Sequence, residues 1–262
     1  MIPEKNILYV WQGRILYAGA TGYAAEPHRH YAASLLIAPE EPLLLNVDGR
    51  SSRPRCVLLR PNLYHQSISQ ARVLVLQLDP DSALYEPMGR WLGSDGYREI
   101  PYESVASFEH RFSELFLEML DCREADRLYC DVIRQIWGAD PRQAPRIQAR
   151  IARLIEELKA DLPEQISVSD LAARVGLSED RFMHVFKDEM GLPVRRYVLW
   201  LRLHRAARMM KSGVTLTEAA HAAGFSDSAH MSRTFKDNFG VSPSGFLSPA
   251  RQNLRIRICA EA

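Results

Sequence analysis

Up to residue 78 the apolar positions fall in short runs, at 6–12, 14–20, 34–38, 42–47, 55–59 and 72–78, each rich in Val, Ile, Leu or Tyr. Turn formers separate them: Gly13, Gly22, Pro39, Asp48-Gly49 and Pro61-Asn62. Short strands with turn signals at this spacing predict a sandwich or barrel. From Ser104 the period lengthens. Val105, Phe108, Phe112, Leu115, Phe116, Met119 and Leu120 recur three and four apart, with Glu109, Arg111, Glu114 and Glu118 between them. This predicts an amphipathic helix. A second helical run covers 126–137, with Leu128, Tyr129, Val132, Ile133 and Ile136 as its apolar positions. Residues 138–145, with one Gly and two Pro, have the composition of an exposed linker and hinge. A helix follows over 146–159, striped by Ile147, Ile151, Leu154, Ile155 and Leu158.

The stretch 167–246 is one unit written twice. SVSDLAARVGLS at 167–178 aligns with TLTEAAHAAGFS at 215–226, and Phe186-Lys187-Asp188 falls on Phe235-Lys236-Asp237. A repeat of this kind decides architecture before any single residue does. Each copy predicts helix, short turn, helix. Ser167 with Asp170, and Thr215 with Glu218, have capping-box spacing, the Asp being the weaker variant. Gly176 and Gly224 stand where the first helix must end in a left-handed residue. Ser178 and Ser226 are placed to cap the second helix, predicted over 179–189 in the first copy and 227–239 in the second. Between the copies, 193–210 predicts one long bridging helix, with Val194, Tyr197, Val198, Leu201 and Met210 facing the two halves.

This pattern, and above all GFSDSAHMSRTFKDNFGVSPSGF at 224–246, resembles the double helix-turn-helix domain of the AraC/XylS family of bacterial transcription regulators. The resemblance implies an α+β chain of two domains. Residues 1–137 would form a cupin-like jelly roll with helices, which senses a small molecule and dimerises. Residues 146–262 would form an all-α DNA-binding domain, with helix-turn-helix units at 167–189 and 215–239. It further implies double-stranded promoter DNA, a small-molecule effector, RNA polymerase and a second copy of the chain as partners, and activation more often than repression.

The second helix of a helix-turn-helix enters the major groove. On the first, Arg181 and His184 lie one turn apart with Lys187 beyond them; Arg181 is the expected guanine reader, since Arg pairs bidentately with O6 and N7. On the second, Ser228, His230, Ser232 and Arg233 are expected in the groove and Lys236 on the backbone. Arg195 and Arg196, at the start of the bridging helix, are expected at phosphates, and Arg202 in a structural role. Phe108, Phe112, Leu115, Phe116 and Met119 are expected at the dimer face. An equally open reading packs that helix on its own barrel.

Composition adds three points. The net charge of +1 hides an asymmetry: residues 1–145 carry 15 basic and 19 acidic side chains, and residues 146–262 carry 18 and 13. The basic part is the one that would meet phosphates. No apolar run approaches the ~20 residues of a membrane span. The N-terminus lacks the basic start and apolar core of a secretory signal. The expectation is a cytoplasmic protein with no membrane partner. Finally, Cys56, Cys122, Cys130 and Cys259 show no metal-ligand spacing and no short disulfide framework, so they are expected as buried or incidental thiols.

In the strand-rich part, His28-Arg29-His30 and His65 form a His-x-His with a third His beyond it. In cupins such a trio can face inward and hold a metal, but the usual carboxylate is missing, since no acid occurs between His30 and Glu40. Three His can still bind a metal with water. The favoured reading gives His28, His30 and His65 to an effector cavity as hydrogen-bonding groups, with no cofactor expected. Tyr9, Trp11, Tyr17 and Tyr23 are candidate aromatic walls and Tyr64 a further contact. Tyr9 and Trp11 share one strand face, which core packing explains equally well. The competing classes are a metal-dependent cupin enzyme carrying a DNA-binding tail, and a regulator whose barrel only dimerises. The expectation is a regulator and not an enzyme.

Overall fold

The computed structural model describes residues 6–11, 13–19, 23–24, 26–80, 82–93, 95–142, 147–239, 242–244 and 254–259. The chain divides into two compact units: Met1–Ala144 with Ser248–Ala262, and Pro145–Leu247.

The first unit is built on two sheets. One contains β1 (Asn6–Trp11), β2 (Arg14–Gly19), β4 (Ala33–Ile37), β7 (Cys56–Leu59), β9 (Val73–Leu78), β10 (Tyr97–Glu99) and β11 (Leu254–Ile258), in the order β10-β7-β4-β9-β2-β1-β11. The other contains β3 (Tyr23–Ala24), β5 (Leu44–Val47), β6 (Arg50–Ser52) and β8 (His65–Ser69), in the order β3-β8-β5-β6. Among the described strands all pairs are antiparallel except β1 with β11, which run parallel from Asn6↔Leu254 to Val10↔Ile258.

Directly opposed residues in neighbouring strands share a face. Leu8, Tyr17, Val75, Leu36 and Val57 follow one row across the large sheet. Of these, Leu36, Val57 and Val75 form a core cluster with Leu45 and Val47 of the small sheet, against which Tyr17 packs. That face therefore meets the small sheet. The next row, Tyr9, Leu16, Leu76, Leu35 and Leu58, faces the opposite way.

The helices cover that opposite face. They are α1 (Tyr85–Leu92), α2 (Glu109–Phe116), reached through two 3-10 turns (Tyr102–Ser104, Ala106–Phe108), and α3 (Cys122–Trp137). Tyr9 donates to the Leu120 carbonyl at 2.8 Å, and Tyr129 of α3 donates to the Gln77 carbonyl at 2.8 Å while its ring lies 6.2 Å from Trp11. Asp121 and Glu124 close a capping box that starts α3 before the predicted position 126. Arg14 of β2 and Asp126 of α3 form an ion pair at 2.8 Å with both side chains buried.

Two expectations for this unit are corrected. The predicted helix from 104 to 120 is shorter, because Glu118 takes φ +59° and the chain turns there. Its apolar stripe is also spent internally: Phe112, Leu115 and Phe116 are buried in their own unit, so no partner can reach them. Phe108 is half-buried, and only Met119, with Leu117 beside it, is exposed.

The C-terminal tail brings further corrections. Residues 254–258 are a strand of the first unit's sheet and not part of the DNA-binding domain expected over 146–262. Cys259, just after that strand, is disulfide-bonded to Cys122 at the start of α3, so these two are not incidental thiols. The free pair, Cys56 and Cys130, is buried as expected, and burial pushes both thiols up to about 12. Three arginines leave with the tail, and 145–247 retains 15 basic against 12 acidic residues. Net charge is thus a weaker argument for DNA binding than the undivided sequence suggests.

The second unit is helical among its described residues: α4 (Ala149–Ala160), α5 (Val168–Arg174), α6 (Glu179–Met190), α7 (Val194–Lys211), α8 (Leu216–Ala222) and α9 (Ser228–Phe239). No described helix is long and apolar enough to cross a membrane.

Candidate nucleic-acid interface and buried histidine cluster

Each helix pair is set by local hydrogen bonds. Ser167 accepts from the Asp170 amide and Ser178 from the Arg181 amide. Thr215 and Glu218 close a reciprocal capping box. The Asp170 side chain does not complete the corresponding box in the first copy; Asp is one methylene shorter than Glu. Gly176 and Gly224 have φ of +68° and +81°, the left-handed conformation that ends α5 and α8. One cap differs from expectation. The α9 cap is Asp227, whose carboxylate accepts from the His230 amide at 2.6 Å; this bond, more than any other, holds its pKa below the usual range. Ser226 instead donates to Asp227 and lies 3.2 Å from His230 Nδ1. Asp is an N-cap of equal quality to Ser, and Asp227 standing directly before the helix was the available signal.

An aromatic row anchors the second helices. Phe182 and Phe186 of α6 lie 5.7 Å apart, Phe186 meets Tyr197 of α7 at 5.5 Å, and Tyr197 meets Trp200 at 5.4 Å. In α9, Met231 and Phe235 are buried; the side chain of Phe239 lies outside the described residues. Burying these faces turns the rest of each helix outward. Arg181, His184 and Lys187 are exposed along α6 at intervals of three, and His230, Arg233 and Lys236 repeat that spacing along α9. Ser228 and Ser232 are half-buried beside them. At the start of α7, Arg195 is exposed and Arg196 half-buried.

The bridging helix α7 has 18 residues, or ~27 Å at 1.5 Å per residue, and packs against α6, α8 and α9. Its five predicted core positions are all buried. Two of its arginines hold the chain ahead of α5: Arg202 donates to the Glu164 carbonyl at 2.7 Å and Arg205 to the Leu162 carbonyl at 2.8 Å. Arg202 is therefore structural, and Arg205 was not singled out from the sequence, which carries no local sign of a contact 43 residues away.

The other candidate residues lie in the first unit. His28, His30 and His65 come together, with ring centroids 4.7–5.5 Å apart. A pair of backbone hydrogen bonds, His28 amide to His65 carbonyl at 3.0 Å and the reverse at 2.9 Å, ties the two segments. His65 opposes Val47 and so faces the inter-sheet interior. All three rings are buried, and burial pushes each toward the neutral form. His65 falls to about 4, His28 is lowered, and His30 is held well below its ordinary value by burial and then by His65 and His28.

Three other effector candidates do not join them. Tyr9 and Trp11 sit on the opposite face of the large sheet, against the helices. Alternation puts both on one strand face, and which way that face points depends on where the second sheet lies. Tyr64 precedes His65 in the chain and points the other way; it is 51% exposed, with Arg29 over its ring. The side chain of Tyr23 lies outside the described residues.

Comparison with known proteins gives matches to the helical unit and, separately, to the fold. A family described as "Helix-turn-helix domain" matches residues 171–248. The uncharacterized HTH-type transcriptional regulator YidL of Escherichia coli (strain K12) is 34% identical over 116 residues, which is 44% of this chain and 39% of YidL. The HTH-type transcriptional activator RhaS of Escherichia fergusonii is 35% identical over 96 residues, 36% of this chain and 34% of RhaS. The chain thus matches about two fifths or less of the length of these relatives. Among solved structures, ToxT from Vibrio cholerae O395 is similar with a TM-score of 0.53, covering 89% of this chain and 96% of ToxT at 12% identity. At that identity the likeness shows the fold alone: a mixed-sheet N-terminal region and a helical C-terminal region.

Proposed function

The chain belongs to the AraC/XylS family of transcription regulators, and from that premise we propose that it is a ligand-responsive, sequence-specific DNA-binding regulator. The observation that carries the reading is the duplicated helix pair, which presents Arg181, His184 and Lys187 on α6 and His230, Arg233 and Lys236 on α9. Helix α7, at ~27 Å, suits spacing the two near one DNA turn, ~34 Å, so that one chain reads two adjacent major-groove segments. Arg181 reads a base; Arg195, Arg196 and Lys236 fix register on phosphates. Ser228 and Ser232 allow α9 a close approach.

The two-sheet unit is a cupin-like jelly roll that takes a small molecule. Effector binding changes its relation to the DNA-binding unit through the segment around 138–145. The regulator acts in the cytoplasm as a homodimer, contacts RNA polymerase and activates transcription. Phe112, Leu115 and Phe116 have no part in its dimer face.

Selection of bound DNA from a random library by the full chain, then titration of the selected site at two salt concentrations, tests the reading. It requires two short sequence blocks about one helical turn apart. Salt-sensitive binding without sequence preference would leave the repeat as a general DNA clamp and overturn it.

A further inference from the structure

The histidine cluster supports more than a hydrogen-bonding pocket. Each ring has its Nδ1 at a backbone carbonyl: His28 at Glu26 (2.8 Å), His30 at Ala32 (2.8 Å) and His65 at Leu63 (3.1 Å). A carbonyl only accepts, so each Nδ1 must carry the proton and donate it. That fixes the same tautomer three times and leaves each Nε2 as a bare lone pair. One ring nitrogen from each residue lies within 4.8 Å of the others. With every Nδ1 engaged, Nε2 is the nitrogen that can ligate.

Three lone pairs grouped this closely repel one another and favour a donor or a cation between them. Among the described residues, a single hydroxyl serves them: Ser34 Oγ lies 3.3 Å from His30 Nε2. A hydroxyl has one proton to give, so the other two rings keep a nitrogen open to water or an ion. On the same inward face of β8 as His65, the buried hydroxyl of Ser67 also has no hydrogen-bond partner.

We propose that His28, His30 and His65 form a site for one divalent transition-metal ion, held by three Nε2 atoms. Imidazole nitrogen selects Zn2+, Cu2+, Ni2+ or Fe2+ over Ca2+ and Mg2+, which take oxygen ligands. The three Nδ1–carbonyl bonds are the outer contacts that orient histidine ligands toward a metal. Zn–N bonds of about 2.0–2.1 Å place tetrahedral ligands roughly 3.4 Å apart, so the rings close inward by about an ångström when the ion enters. No carboxylate or thiol joins the cluster among the described residues. The bound ion keeps its full positive charge and at least one open position, which fits a water or a small anion.

The test uses the untagged full-length protein, stripped with a chelator and dialysed. Zn2+ is titrated in competition with a chromophoric chelator, and Co2+ is added separately for its visible spectrum. One equivalent of Zn2+ per chain is expected, with a Co2+ spectrum that lacks thiolate charge transfer. His28→Gln and His65→Gln should each weaken Zn2+ binding roughly 100-fold. Circular dichroism reports whether each variant is folded, and the wild-type stoichiometry stands whether or not they are. Binding below about 0.1 equivalent by folded wild-type protein, thiolate charge transfer in the Co2+ spectrum, or undiminished binding by folded variants would each overturn the site. The inference is independent of DNA recognition: a chain that selects DNA but binds no metal refutes this site and leaves that reading intact.

Discussion

Cys122 and Cys259 are joined by a disulfide across a sequence separation of 137 residues, with Cα atoms 5.6 Å apart. The bridge fastens the end of β11 to the start of α3. The whole helical unit lies between the two cysteines in the sequence. Arg257 reinforces the attachment by donating to the Leu120 carbonyl at 3.0 Å, and Arg255 pairs with Glu118.

Reduction of this bridge should therefore destabilise the first unit. Closing a loop of this length in the unfolded chain is worth about 2–5 kcal/mol. Melting with and without reductant should show that loss, and Cys122→Ser or Cys259→Ser should reproduce it without reductant. Cytoplasmic thiol pools keep most cysteines reduced. Alkylation and mass spectrometry of protein taken from cells before and after oxidant exposure should show the pair moving between dithiol and disulfide. Equal stability of the oxidised and reduced forms would show that β11 stays docked by its backbone pairing alone.

Gly176 and Gly224 occupy equivalent turns, yet they should not respond alike to Ala. Both have positive φ, so each substitution costs about 1 kcal/mol for the left-handed backbone. Around Gly176 the space is open. At Gly224 a Cβ would meet Arg202 Nε at 3.0 Å and the Glu164 carbonyl at 3.2 Å, the pair that holds the chain ahead of α5. Gly224→Ala should lose roughly 1–3 kcal/mol more than Gly176→Ala, as overpacking does. Chemical denaturation of the two variants measures the difference, and equal losses would show that Arg202 yields freely.

His204 provides a pH test in the helical unit. It packs 4.5 Å from Trp200, and its pKa is pushed down to about 4, first by burial and then by Arg208. In the unfolded chain it returns to its ordinary 6.5. As pH falls below that value the unfolded state takes up a proton that the folded state refuses. Its stability contribution is thus intact above about pH 6.5 and is lost toward pH 4. Comparing wild type with His204→Phe, which keeps a ring and removes the titration, should show a smaller fall in Tm for the variant over this window. Each kcal/mol of linkage is worth about 2–4 °C. Parallel curves would mean His204 titrates normally.

Arg181 and Arg195 separate base reading from phosphate contact. Arg181→Ala should cost about 1–3 kcal/mol on the selected site and relax preference at one position. Arg195→Ala should weaken all sequences alike and reduce the salt slope by about one. Titration of selected and random duplexes at several salt concentrations reads both effects. Equal losses for Arg181→Ala on the two duplexes would remove it as a base reader.

The helical unit was almost wholly legible in the sequence, because what makes it acts over a few residues. The apolar stripe of α7 from Val194 to Leu201, the caps at Ser167, Ser178 and Thr215, and the glycines at 176 and 224 are all relations between residues one to four apart. The outward rows on α6 and α9 follow once Phe182, Phe186, Met231 and Phe235 turn inward. The strand-rich first half was legible as short strands, but not in how those strands come together. Which face of β1 the small sheet covers is set by the pairing of distant strands, so no local pattern shows that Tyr9 and Trp11 meet the helices and not the histidines. The parallel docking of β11, the Cys122–Cys259 bridge and the burial of the α2 stripe likewise join residues that no local pattern connects. The histidines show the division most plainly. Their types and spacing could be read along the chain. The three carbonyls that hold their Nδ1 atoms, and the gathering of one nitrogen from each ring within 4.8 Å of the others, exist only once β8 and the 28–30 segment pair.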